Sequence, residues 1–250
     1  MQSDIFVFDV DGIIVDSTDE CLIIAWNSYQ EYIGGKDFIK TVYDANLKYD
    51  IKFRLTRNYV RAMGEYLVVF EAKYSVIKSQ NEFENLVSSL PRDNIERYGE
   101  IFLNTRKLFK EKNYHFWISL HSYYDGIKKI LINCFENGKL YIVTGKDKDS
   151  SLDLLSQLGI KIKQERIFHM NISINKLESL KKIAKIEGVK YKQIRFIDDN
   201  VTHLRGPQKE GFTVALGDWG YALPEHIDKA KKYLMPIISI DEVLDFMYSD

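Results

Sequence analysis

Cysteine and proline are scarce in this chain of 250 residues, which holds two of the first and four of the second, and its charges almost cancel at 35 Lys plus Arg against 36 Asp plus Glu. Cys21 and Cys134 lie in separate apolar-rich segments with no metal-ligand spacing. That argues against a disulfide scaffold and fits two buried thiols in a reducing compartment. A net charge of −1 leaves no positive excess to lay along a phosphate backbone, so no nucleic-acid partner is expected. A local basic pocket remains compatible with that balance. No apolar run approaches the roughly 18 residues of a membrane-spanning helix. Met1-Gln2-Ser3-Asp4 is neither a basic leader nor the start of a long apolar core, so a cytoplasmic setting with no membrane partner is expected. Nothing in the composition bears on oligomeric state.

What is present is ordinary for a globular chain: 45 % apolar and 13 % aromatic residues, enough to bury a core without a staple, in one large domain or two small ones. Short β-rich runs at Ile5–Phe8, Leu140–Val143, Ile194–Ile197 and Thr213–Leu216 alternate with helical periodicity near 123–136, 149–158, 176–187 and 202–210. Strands separated by helix-length amphipathic segments imply an α/β fold with a parallel sheet. Gly138 and Gly159 stand where helix C-cap glycines are expected. Residues 18–118 differ. Their apolar residues recur at three and four, as in Leu22, Trp26, Tyr29 and Ile33, or Val60, Gly64, Leu67 and Val68 with Glu71, and Pro91 marks a break. This reads as a mostly helical insertion between the first and second core strands. The expected domains are therefore a core of 1–17 plus 119–250 and a helical domain of 18–118.

Three strand ends carry chemistry. Phe6-Val7-Phe8 runs into Asp9-Val10-Asp11-Gly12, two carboxylates one residue apart followed by a glycine that permits a sharp turn. Leu140-Tyr141-Ile142-Val143 runs into Thr144-Gly145-Lys146 ahead of a helix, where a hydroxyl and free N–H groups can bind a phosphate oxygen. Ile194-Arg195-Phe196-Ile197 runs into Asp198-Asp199-Asn200. Packed like charges are costly unless a cation intervenes, and Mg²⁺ suits one or two carboxylates plus phosphate and water. Lys176 opens a helix, where a cation opposes the dipole and calls for a nearby anion, whereas Lys181, Lys182 and Lys185 read as a solvated helix face. Each pattern has a plainer reading alone: an Asp-rich turn, a Thr-Gly turn into a helix, an N-cap at Asp199 or Asn200. Together they place oxygen-bearing residues on the sheet edge where ligands bind in open α/β folds.

The set resembles the haloacid dehalogenase-like (HAD) superfamily, whose four motifs occur here in order as Asp9-Val10-Asp11-Gly12, Thr144, Lys176 and Asp198-Asp199. The match covers roughly 1–17 and 119–250. It implies a Rossmann-like core and a helical cap at about 18–118. It also implies an aspartyl-phosphate mechanism, with Asp9 as nucleophile, Asp11 as general acid/base, and Thr144, Gly145 and Lys176 on the phosphate. Asp9, Asp11 (through its carbonyl), Asp198 and Asp199 are the implied Mg²⁺ ligands or near-ligands, and which of the last two binds directly stays open. Asp11 favours phosphoryl transfer over carbon–halogen cleavage, which needs no proton on a leaving oxygen.

The expected activity is therefore Mg²⁺-dependent hydrolysis of a small phosphorylated metabolite. A phosphosugar mutase, a phosphonate hydrolase and a non-catalytic phosphate-binding protein are the alternatives. Gly145-Lys146 departs from the second motif of many relatives, and Lys146 either adds charge at the phosphate or faces solvent. Arg54, Arg57 and Arg61 share a predicted helix face that reads as solvated, and Phe70, Tyr74, Phe83 and Phe109 read as helical core. His115, His121, His169, His203 and His226 show no paired ligand spacing; His203 follows the Asp198-Asp199-Asn200 turn closely enough to lie near the cleft, but a structural or surface role is expected of it. Trp219-Gly220 reads as loop packing.

Overall fold

A computed structural model describes residues 4–45, 47–71, 77–169 and 175–249. It contains the strands β1 (Ile5–Phe8), β2 (Val15–Asp16), β3 (Ser122–Tyr123), β4 (Lys139–Thr144), β5 (Ile167–His169), β6 (Ile194–Asp198), β7 (Thr213–Gly217) and β8 (Ile237–Ile238). Six of them form one sheet in the order β5-β4-β1-β6-β7-β8, and β2 pairs with β3 separately. Every pairing in the large sheet is parallel. The chain builds outward from β1 to β4 and β5 on one side, then returns to build β6, β7 and β8 on the other. That makes the C-terminal end of β1 a topological switch point, the place where open α/β sheets bind ligands.

The four expected strands and the four expected helices of the core are present, the helices as Ile127–Asn137, Lys148–Gln157, Lys176–Glu187 and Val201–Lys209. Burial on both faces explains why β1, β4 and β6 read as nearly unbroken apolar runs rather than alternating ones. One face carries Ile5, Val7, Tyr141, Val143, Ile194, Phe196, Val214 and Leu216, packed with Leu180, Ile183, Val201, Leu204 and Ala230 from the helices. Asp9 and Asp198 continue the parity of Val7 and Phe196, so both carboxylates leave the sheet on that same side.

Gly138 is the C-cap of the helix Ile127–Asn137, as expected. Its backbone is extended (φ −150°, ψ −159°) rather than left-handed, and a Cβ there would stand 2.1 Å from the Phe6 ring. The glycine makes room for Phe6. Gly159 does take the left-handed conformation, at φ +81°, one residue beyond the helix ending at Gln157 and its C-cap Leu158. Two further helices, Pro224–Lys232 and Val243–Tyr248, were not expected from the sequence.

The helix Pro224–Lys232 has Pro224 at its start and His226 in its first turn, and the backbone N–H of Leu223 donates to His226 Nδ1 at 3.3 Å. That hydrogen bond requires a neutral ring. Burial pushes the His226 pKa down from 6.5 to about 4, Lys229 adding to the effect and Glu225 opposing it. Between those values the unfolded chain binds a proton that the folded chain refuses, so stability falls as pH drops through this window. About 3 kcal/mol of unfolding free energy is expected to disappear between pH 6.5 and 4. Urea denaturation of wild type and His226→Gln at pH 7 and pH 4.5 checks this: the variant should lose markedly less on acidification.

The described residues divide into two compact units, one spanning Ser17–Ser122 and the other taking the segments before and after it. The first is helical, with long helices at Thr18–Ile33 and Arg92–Lys112, and Pro91 is the N-cap of the latter. Its core contains Cys21, Leu22, Trp26, Phe53, Tyr66, Leu67, Phe70, Tyr98 and Phe102. Phe53, Tyr66 and Phe102 stack in a column, with ring centroids 5.5 and 5.2 Å apart, and Arg106 lies 4.8 Å over the last ring. Arg106 also grips buried Glu20, Nε to Oε1 at 2.7 Å and Nη2 to Oε2 at 3.1 Å, while Trp117 Nε1 donates to the same Oε1. A buried pair needs such multiple bonds to offset desolvation.

Several expectations within this unit change. Ile33 is half exposed rather than core. Residues 60–71 are not one helix: a 3-10 turn at Met63–Glu65 precedes a short helix at Tyr66–Glu71. Arg61 lies beyond the end of the helix Leu47–Arg57, so the three arginines do not share a face. Arg54 pairs with Asp19 and Asp50, Arg57 is buried, and Arg61 pairs with Glu65 and Glu84. Phe70 and Phe83 are buried as expected, Phe109 packs at the core's edge, and Tyr74 lies outside the described residues. Both cysteines are buried free thiols. No described helix is long and apolar enough to cross a membrane.

Candidate active site

Parallel register sets the site. Phe8 pairs with Ile142 on one side and Ile197 on the other, so Asp9 stands beside Asp198 as the strands end, and its N–H donates to the Ile197 carbonyl at 3.2 Å. Thr144 ends the neighbouring strand two residues beyond Ile142. Lys176 arrives from below the same sheet face. Asn175 caps its helix by accepting from the Glu178 N–H at 3.2 Å, which fixes Lys176 as the first helical residue.

Lys176 is 2 % exposed, and its Nζ donates to Asp9 Oδ2 at 2.6 Å and to Asp198 Oδ2 at 2.5 Å. The cation that opposes its own helix dipole is thus held by two carboxylates. Burial works against its charge, but Asp198 and Asp9 outweigh that and hold the ammonium well above the ordinary lysine range. The two acids respond differently. For Asp9, burial wins over the attraction of Lys176, with Asp198 adding repulsion, and its pKa is raised. For Asp198, burial is overcome by Lys176 and His203, and its pKa is lowered. Asp198 Oδ1 also accepts from the Asn200 N–H at 2.8 Å. Asn200 caps the next helix by accepting from the Thr202 N–H at 3.0 Å, so capping and a carboxylate cluster coexist at this turn.

The second contact group centres on Asp11. Lys146 is 1 % exposed and its Nζ lies 3.2 Å from Asp11 Oδ1, which rules out the solvent-facing alternative. Buried Thr144 accepts from the Lys146 N–H at 3.1 Å through its hydroxyl oxygen, tying the loop after β4 into a tight turn. Gly145 in that turn is half-buried, and Asp147 caps the helix that follows by accepting from the Ser150 N–H at 2.9 Å.

Gly12 completes the arrangement. It sits at φ +84°, and a Cβ there would fall 2.0 Å from Asp199 Oδ2. The segment after β7 closes against it: Tyr221 N–H donates to that same Oδ2 at 3.0 Å, Tyr221 hydroxyl to Asp16 at 2.8 Å, and Trp219 Nε1 to the Ile13 carbonyl at 3.2 Å. A Cβ on Gly220 would stand 1.7 Å from the Gly12 carbonyl oxygen. Trp219 and Gly220 therefore pack loops, as their sequence suggests.

Asp9, Lys176 and Asp198 are in direct contact, Lys146 joins Thr144 to Asp11, and Asp199 lies against Gly12. His203 Nδ1 lies 3.1 and 3.2 Å from the two oxygens of Asp198. The signal was its position in the first turn of the helix that the Asp198-Asp199-Asn200 turn opens. The donors that converge here, carboxylates and a backbone held open by Gly12, are hard oxygen ligands of the kind a divalent cation such as Mg²⁺ takes. Asp9 and Asp198 offer oxygens within 4.8 Å of each other, a spacing one ion can span.

No protein-family model matches the sequence, and no curated protein matches it. Solved structures do match over nearly the whole chain. A haloacid dehalogenase-like hydrolase from Streptococcus pneumoniae aligns at 17 % identity and a TM-score of 0.63, covering 98 % of each chain. A predicted phosphoglycolate phosphatase from Haemophilus somnus aligns at 17 % identity and 0.61, again covering 98 % of each. A beta-phosphoglucomutase from Clostridium difficile aligns at 17 % identity and 0.57, covering 98 % of this chain and 97 % of its own. The fold is that of the haloacid dehalogenase-like hydrolases, a parallel α/β sheet flanked by helices.

Proposed function

We propose that this chain is a phosphatase that transfers the phosphoryl group of a small phosphorylated metabolite to Asp9 and then to water. The observation that carries the reading is the Lys176 ammonium bridging Asp9 and Asp198 at 2.6 and 2.5 Å on adjacent strand tips. A carboxylate meeting a phosphate dianion is repelled by roughly 4 kcal/mol per charge pair at 4 Å and an effective dielectric near 20. A cation already seated on the nucleophile reduces that repulsion, and phosphoryl transfer depends on such positioning and neutralisation.

In the first step an Asp9 oxygen bonds to phosphorus as the ester P–O bond breaks, and Asp11 gives its proton to the departing oxygen. In the second, water bonds to phosphorus, the Asp9 P–O bond breaks and the water proton goes to Asp11. Lys146 at 3.2 Å from Asp11 orients that carboxyl, while Thr144 and the N–H groups of the Gly145 turn bind phosphate oxygens. Asp9, Asp198, Asp199 and the Asp11 carbonyl would hold Mg²⁺, which supplies positive charge to the transferring group. The helical unit, inserted in sequence after the first core strand, is read as the cap that selects the substrate.

A panel of phosphorylated metabolites assayed in ¹⁸O-water with Mg²⁺ tests the proposal. Inorganic phosphate carrying one solvent oxygen is the expected product. Isomerised sugar phosphate without phosphate release would make the chain a mutase, and metal and phosphate binding with no turnover on any substrate would make it a binding protein.

A further inference from the structure

We propose that His203 is a nitrogen ligand in this metal centre, so that the site favours first-row transition-metal divalent ions, Mn²⁺ least and Fe²⁺ or Co²⁺ more, over Mg²⁺. The inference rests on the reading above, that Asp9 and Asp198 hold a cation, and adds a donor of a different chemical class.

His203 is the third residue of the helix Val201–Lys209, whose N-cap is Asn200. The turn that delivers Asp198 and Asp199 to the strand tip therefore also delivers this ring. One ligand atom each from Asp9, Asp198 and His203 lie within 4.8 Å of one another. Around an ion with bonds of about 2.1 Å, neighbouring ligands stand about 3 Å apart and opposite ligands about 4.2 Å. The Nδ1 to Asp198 distances of 3.1 and 3.2 Å match the first of these, and the overall span needs only a small contraction to match the second.

The ring's hydrogen-bonding contacts among the described residues all face the Asp198 carboxylate, and Nε2, buried without a protein partner, needs a water to accept its proton when Nδ1 binds metal. Without an ion Nδ1–H donates to Asp198. Ligation uses the other tautomer, with the proton on Nε2 and the Nδ1 lone pair on the metal. Lys176 takes the Oδ2 atoms of both acids, and their Oδ1 atoms accept the Val10 and Asn200 N–H groups at 2.7 and 2.8 Å, which leaves one lone pair on each Oδ1 for an ion.

Nitrogen in the donor set changes which ion is favoured. Mg²⁺ is hard, binds oxygen and releases water reluctantly. Imidazole strengthens binding along the series from Mn²⁺ towards Co²⁺ and Ni²⁺. Loss of a ligand or its support commonly costs 10- to 100-fold in metal affinity, so the Mn²⁺-over-Mg²⁺ preference should fall roughly 10-fold in His203→Asn.

Pulsed electron paramagnetic resonance of the Mn²⁺-loaded protein is the test, with histidine-specific ¹⁵N labelling. A directly bound ¹⁴N coupling in the unlabelled protein is expected to become a ¹⁵N coupling on labelling and to vanish in His203→Asn. The labelling separates His203 from the Lys176 amine. Mn²⁺ bound without any histidine nitrogen coupling would overturn the inference while leaving the phosphatase reading intact. Failure of the protein to bind Mn²⁺ or Mg²⁺ at all would overturn both.

Discussion

Asp9→Asn is expected to lower Mg²⁺-dependent hydrolysis of an aryl phosphate at least about 10³-fold while the protein stays folded. The activity loss follows from removing the atom that bonds to phosphorus, since an amide oxygen is a poor nucleophile and no neighbour can take over a covalent step. The stability argument runs the other way. Asp9 is 6 % exposed, and burial raises its pKa above 3.8. A carboxyl with a raised folded pKa contributes its stability below 3.8, and that contribution is lost as pH rises through the folded value. Ionising the buried Asp9 therefore works against the fold, and asparagine removes that burden. Lys176 keeps Asp198 as a partner. Steady-state rates with p-nitrophenyl phosphate and thermal melts at pH 7.5 give both readings. Unchanged turnover in the variant would remove Asp9 from the chemistry.

Lys176→Met should do the opposite to stability. It leaves Asp9 and Asp198 buried on neighbouring strand tips with their shared cation gone, and breaking a buried charge cluster in this way typically costs about 3–5 kcal/mol. The loss is pH-dependent with a definite sign. Asp198 has a lowered pKa chiefly because Lys176, and then His203, overcome its burial. Without Lys176 its folded pKa rises, and the variant becomes relatively more stable as pH falls and the two acids protonate. Urea denaturation of the metal-free proteins at pH 7.5 and 5.5 should therefore show the gap between wild type and variant narrowing on acidification. Millimolar Mg²⁺ should narrow it too, by supplying a charge where the ammonium stood. A variant as stable as wild type at pH 7.5 without metal would show that the two carboxylates do not depend on Lys176.

The parts of this protein legible in its sequence are those where one residue type has one physical use. The runs Ile5–Phe8 and Ile194–Ile197 read correctly because central parallel strands are buried on both faces. Lys176 stood out because a cation at a helix start needs an anion, and the structure supplies two. What stayed hidden depends on partners far away in the chain. β8 has two residues and pairs only through Leu216 and Gly217, too short for any pattern to register. Gly138 ends its helix as its position suggests, but the second reason for a glycine there, the Phe6 ring that packs over it, comes from a distant strand. The sequence leaves Lys146 open between charge at the phosphate and exposure to solvent and points His203 to a structural or surface role; only the register of β1, β4 and β6 places them beside Asp11 and Asp198. The arginines of the helical unit were misassigned because the break after Arg57 lacks a proline or glycine to announce it.

The central position of β1 has a consequence for how the chain is made. Ile5–Phe8 is synthesised well before its two neighbours, which begin at Lys139 and Ile194. An apolar strand with both edges unpaired must wait until those neighbours have been made, and such segments aggregate readily. Sheets joined by contacts this distant in sequence also fold slowly. Nascent chains stalled before β6 should thus depend on a chaperone to stay soluble, whereas the helical unit, whose core partners all lie between Ser17 and Ser122, can mature while the sheet is still waiting for its middle to be enclosed.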